Sequence, residues 1–233
     1  MNEQKLSKRL AHVASYVEPG ARVADIGSDH AYLPAWLYLN GKIEAAVAGE
    51  VVQGPFESAK KLVETRGLSE HITVRLANGL EAVEKNDQID TVTIAGMGGS
   101  LISDILDRGV NKGILTGKER LILQPNIGEK RLRKWLVKYK YQLIAEEILE
   151  EDGKRYEILV AEKAVEAPSY SDQELLFGPF LLEEKSPIFL EKWASELVQK
   201  QRILAQLETT NNDHQAKISE LKQVVKWIEE LRA

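Results

Sequence analysis

The residues best suited to chemistry cluster in "VADIGSDHAYLP", Val23 to Pro34, where an apolar run meets Asp25 and then Gly27, Ser28, Asp29 and His30. Glycine at the end of a first strand lets a ligand approach the backbone closely. Of a G-x-G-x-x-G phosphate loop only Gly27 remains, and Asp29 stands where the second glycine would be. An anionic side chain there repels a pyrophosphate and welcomes a cationic centre. S-adenosylmethionine, with a sulfonium, an ammonium and no phosphate, suits such a turn. A tight strand–helix turn capped by Ser28 or Asp29 would use the same residues.

Three further positions fall at the ends of later apolar runs. Glu50, followed by Val51, closes "AAVAGE", where an acid accepts hydrogen bonds from both hydroxyls of a ribose. Asn78 and Gly79 follow "ITVRLA", placing an amide where it can face an adenine ring. "AGMGG" follows the fourth run: Ala95, Gly96 and Met97 would flank the methyl donor, and Gly98 and Gly99 would let an acceptor come close. Open α/β sheets bind ligands at the carboxyl ends of consecutive strands, so the coincidence favours a cofactor site.

These positions need a particular set of elements. "ARVADI", "AAVAGE", "ITVRLA", "DTVTIAG" and "RLILQP" read as strands, alternating with helical patterns near 31–39, 54–66, 80–85, 99–107 and 128–138. That alternation predicts a parallel sheet with right-handed crossovers. The first 17 residues read as an amphipathic helix with Leu6, Leu10, Val13 and Val17 on one stripe, ended by "EPG". After Lys140, two extended runs joined through "EDGK" predict a hairpin, and hence one reversed strand near the sheet edge. The expected fold is α/β, a Rossmann-like sheet over residues 1–163. Residues 164–233 would form a linker (164–172) and two helices. Leu190, Trp193, Leu197, Leu204 and Leu207 pair there with Ile218, Leu221, Val225 and Ile228 across "TTNNDH" as an antiparallel, coiled-coil-like hairpin.

Composition narrows the partners. With no cysteine in 233 residues, disulfides, thiolate metal sites and a cysteine nucleophile are excluded, and no His/Asp/Glu cluster has metal-ligand spacing. His12 falls on the first helix, and His71 and His214 have no evident role. No apolar run has the length of a membrane span and the start lacks a signal-peptide core, so a cytoplasmic protein is expected. The net charge of −5 is uneven: residues 1–163 hold 23 Lys+Arg against 24 Asp+Glu, and residues 164–233 hold 8 against 12. Any nucleic-acid surface must therefore be a local patch. Lys130, Arg131, Arg133, Lys134, Lys138 and Lys140 crowd the run after the fifth strand, and Lys5, Lys8 and Arg9 form a second group. Either these bind phosphates, with Lys5, Arg9, Arg131 and Arg133 as contacts, or the first group is a solvated helix face whose core side is Leu132, Trp135 and Leu136. The acidic tail would guide RNA, pack on the first domain or dimerise; a homo-oligomer is not indicated.

The strings "LSKRL", "VADIGSDHAYLP", "AGEVVQGPF", "TIAGMGG", "LTGKERLILQPNI" and "EEDGKRYEILVAE" together resemble the bacterial tRNA (adenine-N1)-methyltransferase family TrmK. The match covers about residues 1–163, and "GPFL" with the helical tail is similar to that family's C-terminal extension. The resemblance implies a class I, S-adenosylmethionine-dependent methyltransferase acting on N1 of the adenosine at position 22 in the D-arm region of tRNA. The residues agree with that chemistry. Enzymes that methylate an exocyclic amine commonly use side-chain acceptors and an aromatic after strand four, and Gly96–Gly99 offer neither. Adenine N1 is already a lone-pair nucleophile, so placement against the methyl group carries most of the demand. N1 belongs to the Watson–Crick edge, so a paired adenine must be swung out at a cost of a few kcal/mol. Asp29 is the candidate catalytic residue, accepting from the exocyclic amine or stabilising the cationic product; a capping role is the alternative. His30 would contact cofactor or base, and Asn126 is expected in the base pocket.

Overall fold

In the computed structural model, which describes residues 2–209 and 215–231, the apolar runs assemble into one seven-stranded sheet. The strands are β1 (Ala21–Ile26), β2 (Ile43–Glu50), β3 (Ile72–Leu76), β4 (Thr91–Gly98), β5 (Arg120–Ile127), β6 (Tyr141–Glu151) and β7 (Lys154–Lys163). Their order is β3-β2-β1-β4-β5-β7-β6. The first five are parallel, and β7 runs antiparallel to both β5 and β6. The expected reversed strand is thus β7, one in from the edge. The β6–β7 turn has positive φ at Asp152 (52°) and Gly153 (69°), the combination a two-residue hairpin matching strand twist requires.

Central strands are covered on both faces, which is why they read as continuous apolar runs. On one face lie α1 (Lys8–Ser15), α2 (Tyr32–Leu39) and α3 (Gln53–Thr65), packing Val13, Leu33, Leu37, Ala59 and Val63 against Val23, Ala46 and Ile122. On the other lie α4 (Gly99–Asn111) and α5 (Glu129–Lys138), with Ile102, Leu106, Leu132 and Leu136 against Ala24, Val92 and Leu121. Each such Val, Leu or Ile side chain, fully buried, contributes about 1.5–3 kcal/mol.

Two expected helices are shorter. Helix α1 starts at Lys8 because the Ser7 hydroxyl accepts from the Leu10 N–H at 3.2 Å; before it, the Asn2 side chain accepts from the N–H groups of Gln4 and Lys5 in a turn. The helical pattern near 80–85 is two single 3₁₀ turns, Gly79–Ala82 and Lys85–Asp87, the second closed by reciprocal capping between Glu84 and Asp87.

Beyond the linker come two short helices that the sequence reading lacked, α6 (Asp172–Phe177) and α7 (Pro179–Glu184), then α8 (Pro187–Thr209) and α9 (Gln215–Glu230). Gln201 bonds Glu229 and Lys222 pairs with Glu208, so α8 and α9 run antiparallel as expected. Most of the "TTNNDH" break, including His214, lies outside the described residues. Of the apolar stripe, Trp193, Leu197 and Ile228 are buried and Leu190 is exposed. The three buried residues join Phe177, Leu181 and Phe189 in a third core that includes Ile148 of β6, so the tail covers the sheet edge.

A buried ionic network fixes that docking and corrects one expectation. Arg133 does not face solvent: its side chain is 0% exposed. Its Nε donates to Glu146 at 2.7 Å, one Nη to Glu157 at 2.5 Å and the other to the Leu176 carbonyl at 3.3 Å. Lys192 of α8 adds bonds to Glu157 (2.6 Å) and Glu129 (2.7 Å), and the Phe180 N–H caps Glu146. Arg133 is therefore a tie between α5, β6, β7 and the tail, closed to a phosphate. Replacing Arg133 by Ala leaves Glu146 buried without a cation and Glu157 with Lys192 alone, and should lower stability by about 3–5 kcal/mol. Arg131→Ala, on the exposed face of the same helix, should stay within about 0.5 kcal/mol. Urea unfolding of the two variants measures the difference.

Candidate active site

The site forms where β1, β2 and β4 end. Asp25, last but one in β1, is buried with its carboxylate taking hydroxyl bonds from Ser28 (2.6 Å) and from Thr93 of β4 (2.7 Å). The chain then turns sharply: the N–H groups of Gly27 and Ser28 both donate to the Gly49 carbonyl. Gly27 (φ 71°), Asp29 (45°), His30 (67°) and Ala31 (58°) are all left-handed, the last three in succession. Non-glycine residues held there cost of order 1–3 kcal/mol each and persist only where the surroundings enforce them. Glycine is favoured at Gly27 by its φ of 71°; an added Cβ would also lie 2.1 Å from the Met97 methyl, the movable end of a flexible side chain.

A cavity of about 260 Å³ opens over this turn, lined by Arg9 and Leu10 of α1, Asp25, Gly27, Ser28, Asp29, Leu33, and Ala95, Gly96 and Met97 of β4. Asp29 points outward, 70% exposed, with His30 Nε2 3.6 Å from its carboxylate and the His30 ring stacked on Tyr32. Glu50 lies at the neighbouring strand end, and the Asp29 backbone N–H bonds its carboxylate. Its Oε1 is buried without a hydrogen-bond partner among the described residues. An orphaned buried acceptor costs about 1–3 kcal/mol, so Glu50 is built for a donor from outside the chain.

Three carboxylates feel one another here. Burial pushes the Asp25 carboxyl above its ordinary range, the Ser28 and Thr93 hydroxyls pull it back, and Asp29 raises it further. Burial also raises Glu50, against the Asp29 N–H, with Asp25 and Asp29 adding to the rise. The orphaned Glu50 oxygen, the cavity over the turn and this concentration of negative charge fit S-adenosylmethionine: hydroxyl donors for Glu50, cationic centres for the acids.

Other expected positions separate into groups. Val51 and Asn78 are exposed and Gly79 half-buried, at the two strand ends beyond the cavity; the Asn78 carbonyl oxygen accepts from Arg108 at 3.4 Å. The Asn126 amide is tied into the wall, donating to the Gly96 carbonyl at 2.8 Å. Gly99 is corrected: it is buried, and a Cβ there would meet the Gly128 carbonyl oxygen at 2.4 Å, so its smallness serves the contact between the β4–α4 and β5–α5 junctions rather than a substrate. Gly98 is half-buried beside Ile127. Lys5 and Arg131 are exposed, whereas Arg9 reaches into the cavity. Sequence reading missed Thr93 and gave no role to Gln124, which is fully buried and whose Oε1 accepts from both the Gly96 N–H (2.9 Å) and Arg9 (2.5 Å). The available signal was a polar residue inside each apolar strand.

The raised Asp25 makes a signed prediction. An acid whose folded pKa exceeds its unfolded one holds its proton better when folded, so its contribution to stability falls as pH rises through the raised value. Asp25→Asn removes that penalty. The variant should gain stability on the wild type as pH increases above the ordinary carboxylate range, near 3.8, and the gap should close in acid. Thermal unfolding of both proteins across pH 3–8 measures it.

Comparison with known proteins extends the same reading to the whole chain. Residues 23–230 match the family described as TrmK, tRNA (adenine(22)-N(1))-methyltransferase. A Bacillus subtilis (strain 168) protein named tRNA (adenine(22)-N(1))-methyltransferase is 52% identical over 236 residues, covering 100% of this chain and 98% of its own. The crystal structure of the B. subtilis m1A22 tRNA methyltransferase TrmK superimposes with a TM-score of 0.92 at 49% identity, covering 99% of this chain and 100% of that one. A Streptococcus pneumoniae protein solved in complex with S-adenosyl-L-methionine superimposes at 0.88 and 48% identity, covering 98% and 100%. With a family model matching residues 23–230 and a relative 52% identical across the whole chain, the chain belongs to the TrmK family of tRNA (adenine(22)-N(1))-methyltransferases.

Proposed function

We propose that the protein transfers a methyl group from S-adenosylmethionine to N1 of adenosine 22 in tRNA, giving 1-methyladenosine. Family membership supplies the substrate. The structural observation that carries the reading is the unpartnered, buried Glu50 oxygen beside a cavity floored by Asp25 and bordered by Asp29. Among the described residues, no helix is long and apolar enough to cross a membrane and no group of three or more His, Asp or Glu could hold a metal. We place the reaction in the cytoplasm, with tRNA.

When bound, S-adenosylmethionine supplies an electrophilic methyl on its sulfonium. The chain's own groups do the rest. Glu50 accepts ribose hydroxyls, and Asp25 sets a negative potential that favours the cationic half of the cofactor. Val51, Asn78 and Gly79 extend the same strand-end row toward the adenine. Gly96, Met97 and Gly98 form a wall without a side-chain carboxylate or hydroxyl, against which a flat base can lie close to the methyl group. N1 would offer its lone pair to the methyl carbon as the methyl–sulfur bond breaks and S-adenosylhomocysteine leaves, so no proton must depart beforehand and positioning would supply the acceleration. The adenine becomes cationic as the bond forms. Asp29, exposed at the cavity's outer edge and flanked by His30, accepts from the exocyclic amine and offsets that charge. Asn126, held by Gly96, borders the base pocket. Lys5 and the exposed face of α5, centred on Arg131, contact tRNA phosphates.

The deciding experiment is incubation of the protein with methyl-labelled S-adenosylmethionine and unmodified tRNA, followed by mapping of the label; label on N1 of adenosine 22 is expected, and label on an exocyclic amine would overturn the chemistry. Asp29→Ala should lower turnover about tenfold or more while cofactor affinity changes little, read from single-turnover rates and calorimetry. Arg131→Glu should weaken tRNA binding and flatten the dependence of log K on log salt by about 0.7–0.9 per lost phosphate contact, read from a salt titration.

A further inference from the structure

Among the described residues up to Lys163, Ile127 is the most exposed large apolar side chain, at 73%. A lone exposed aliphatic group is ordinary on a protein surface, but the placement of this one is not. Strand β5 buries Leu121 to Pro125 and then runs two residues beyond the core, through Asn126 to Ile127. Opposite Ile127 in the β4–β5 ladder stands Gly98, which has no side chain to pack on it. A Cβ at Gly98 would lie 4.0 Å from the Ile127 Cγ1, so the glycine leaves the isoleucine bare at the rim of the wall. The backbone beneath is held on both sides. The Asn126 amide donates to the Gly96 carbonyl at 2.8 Å, and Gly128 (φ 86°) packs on Gly99. Leu101, 48% exposed, follows two residues after Gly99 on the first turn of α4. Cations come next: Arg131, Lys134 and Lys138 share the exposed face of α5 at three- and four-residue spacing. The acid closest to that row, Asp104, meets Arg131 at 3.7 Å in a pair that is more than half exposed and therefore weak.

Resting on the methylation reading above, we propose that Ile127 is a positioning residue that enters the RNA stack in the place adenosine 22 vacates. N1 is reached only after the base leaves its helix, and lost pairing and stacking oppose that step. The gap recloses on the base unless something apolar occupies it, and inserted Ile, Leu, Met or Phe side chains serve that purpose between base steps. The wall assigned to the base ends at Gly98, and Ile127 is its partner on the same ladder rung. Base and replacement therefore exchange places across neighbouring strand ends, one entering the pocket as the other enters the stack. A rigid strand end suits the task, because a side chain on a mobile loop would yield to the returning base. The cations along α5 hold the phosphate backbone on one side of the apolar tip. A protein partner would call for a broader apolar patch than a tip bordered by three exposed cations, so the surface favours RNA.

The full chain, with S-adenosylhomocysteine and a tRNA carrying 2-aminopurine at position 22, tests this, because the probe brightens when it leaves the stack. Wild type should raise the fluorescence, and Ile127→Ala should lose roughly half of the rise or more while tRNA affinity stays within about threefold. Single-turnover methylation of unmodified tRNA should slow about tenfold in Ile127→Ala. Ile127→Met, which keeps an apolar tip, should recover most of both signals. Ile127 is exposed, so these variants keep the fold. An abasic nucleotide facing adenosine 22 removes the pairing, and on that tRNA Ile127→Ala should come within about threefold of wild type. Unchanged rate and fluorescence in Ile127→Ala would remove the residue from the reaction. Weaker tRNA binding at an unchanged rate would make it a docking contact, and equal slowing on both tRNAs would tie it to a step after extrusion; each of these results overturns the proposal. Failure of the wild type to methylate adenosine 22 in unmodified tRNA would instead sink the reading from which it starts.

Discussion

The carboxylate of Asp25 is the constraint around which the site is organised. It is buried at the tip of a central strand, without a cation, between two hydroxyls. Desolvation works against that charge, which is why its pKa rises rather than falls. The Ser28 hydroxyl reaches it only because the chain doubles back at Gly27, and the following residues complete the turn in left-handed conformations. Electrostatic penalty and backbone strain therefore converge on one loop, which the packed cores on both faces of the sheet keep in place. A cationic ligand relieves part of the penalty, so the cost of the empty fold becomes affinity in the loaded one.

A second set of buried charges has the opposite character. Glu129, Glu146 and Glu157 surround Arg133 and Lys192, each charge with a partner at hydrogen-bond distance. Burial lifts Glu146, whereas the Lys192 ammonium leaves Glu129 below its ordinary range. This network specifies geometry: it joins α5 to the hairpin β6–β7 and to the tail helices, and Gly178 (φ 88°) passes so near it that a Cβ would approach Arg133 and Glu146 at 2.6 Å. Paired charges here lock an interface; the largely unpaired acids at the strand ends wait for a ligand.

Much of this was legible in the sequence. The parallel core follows from apolar runs with glycines and acids at their ends, and the reversed strand from a hairpin signal after the fifth unit. Arg131 and Arg133 show where reading by composition failed. They are two residues apart on α5, about 200° around the helix axis, so a charge cluster that looked uniform divides between solvent and core. Of these two, Arg131 remains a candidate for RNA and Arg133 does not. Gly98 and Gly99 divide similarly, the first beside the exposed Ile127 and the second under the Gly128 backbone.

The sequence by itself determined which chemistry the turn admits, because an aspartate in place of a phosphate-loop glycine sets the sign of the potential wherever the chain places it. It also determined the parallel core of the sheet, because local periodicity and turn residues act over short distances. Only the tertiary structure decided which charges face ligand and which face one another. Arg9 and Gln124 are 115 residues apart, Arg133 and Glu157 are 24 apart, and their meetings depend on how helices and strands cross. Charge pairing acts through space, so a linear string does not encode which long-range partners it brings together until the packing of the cores has fixed their distances.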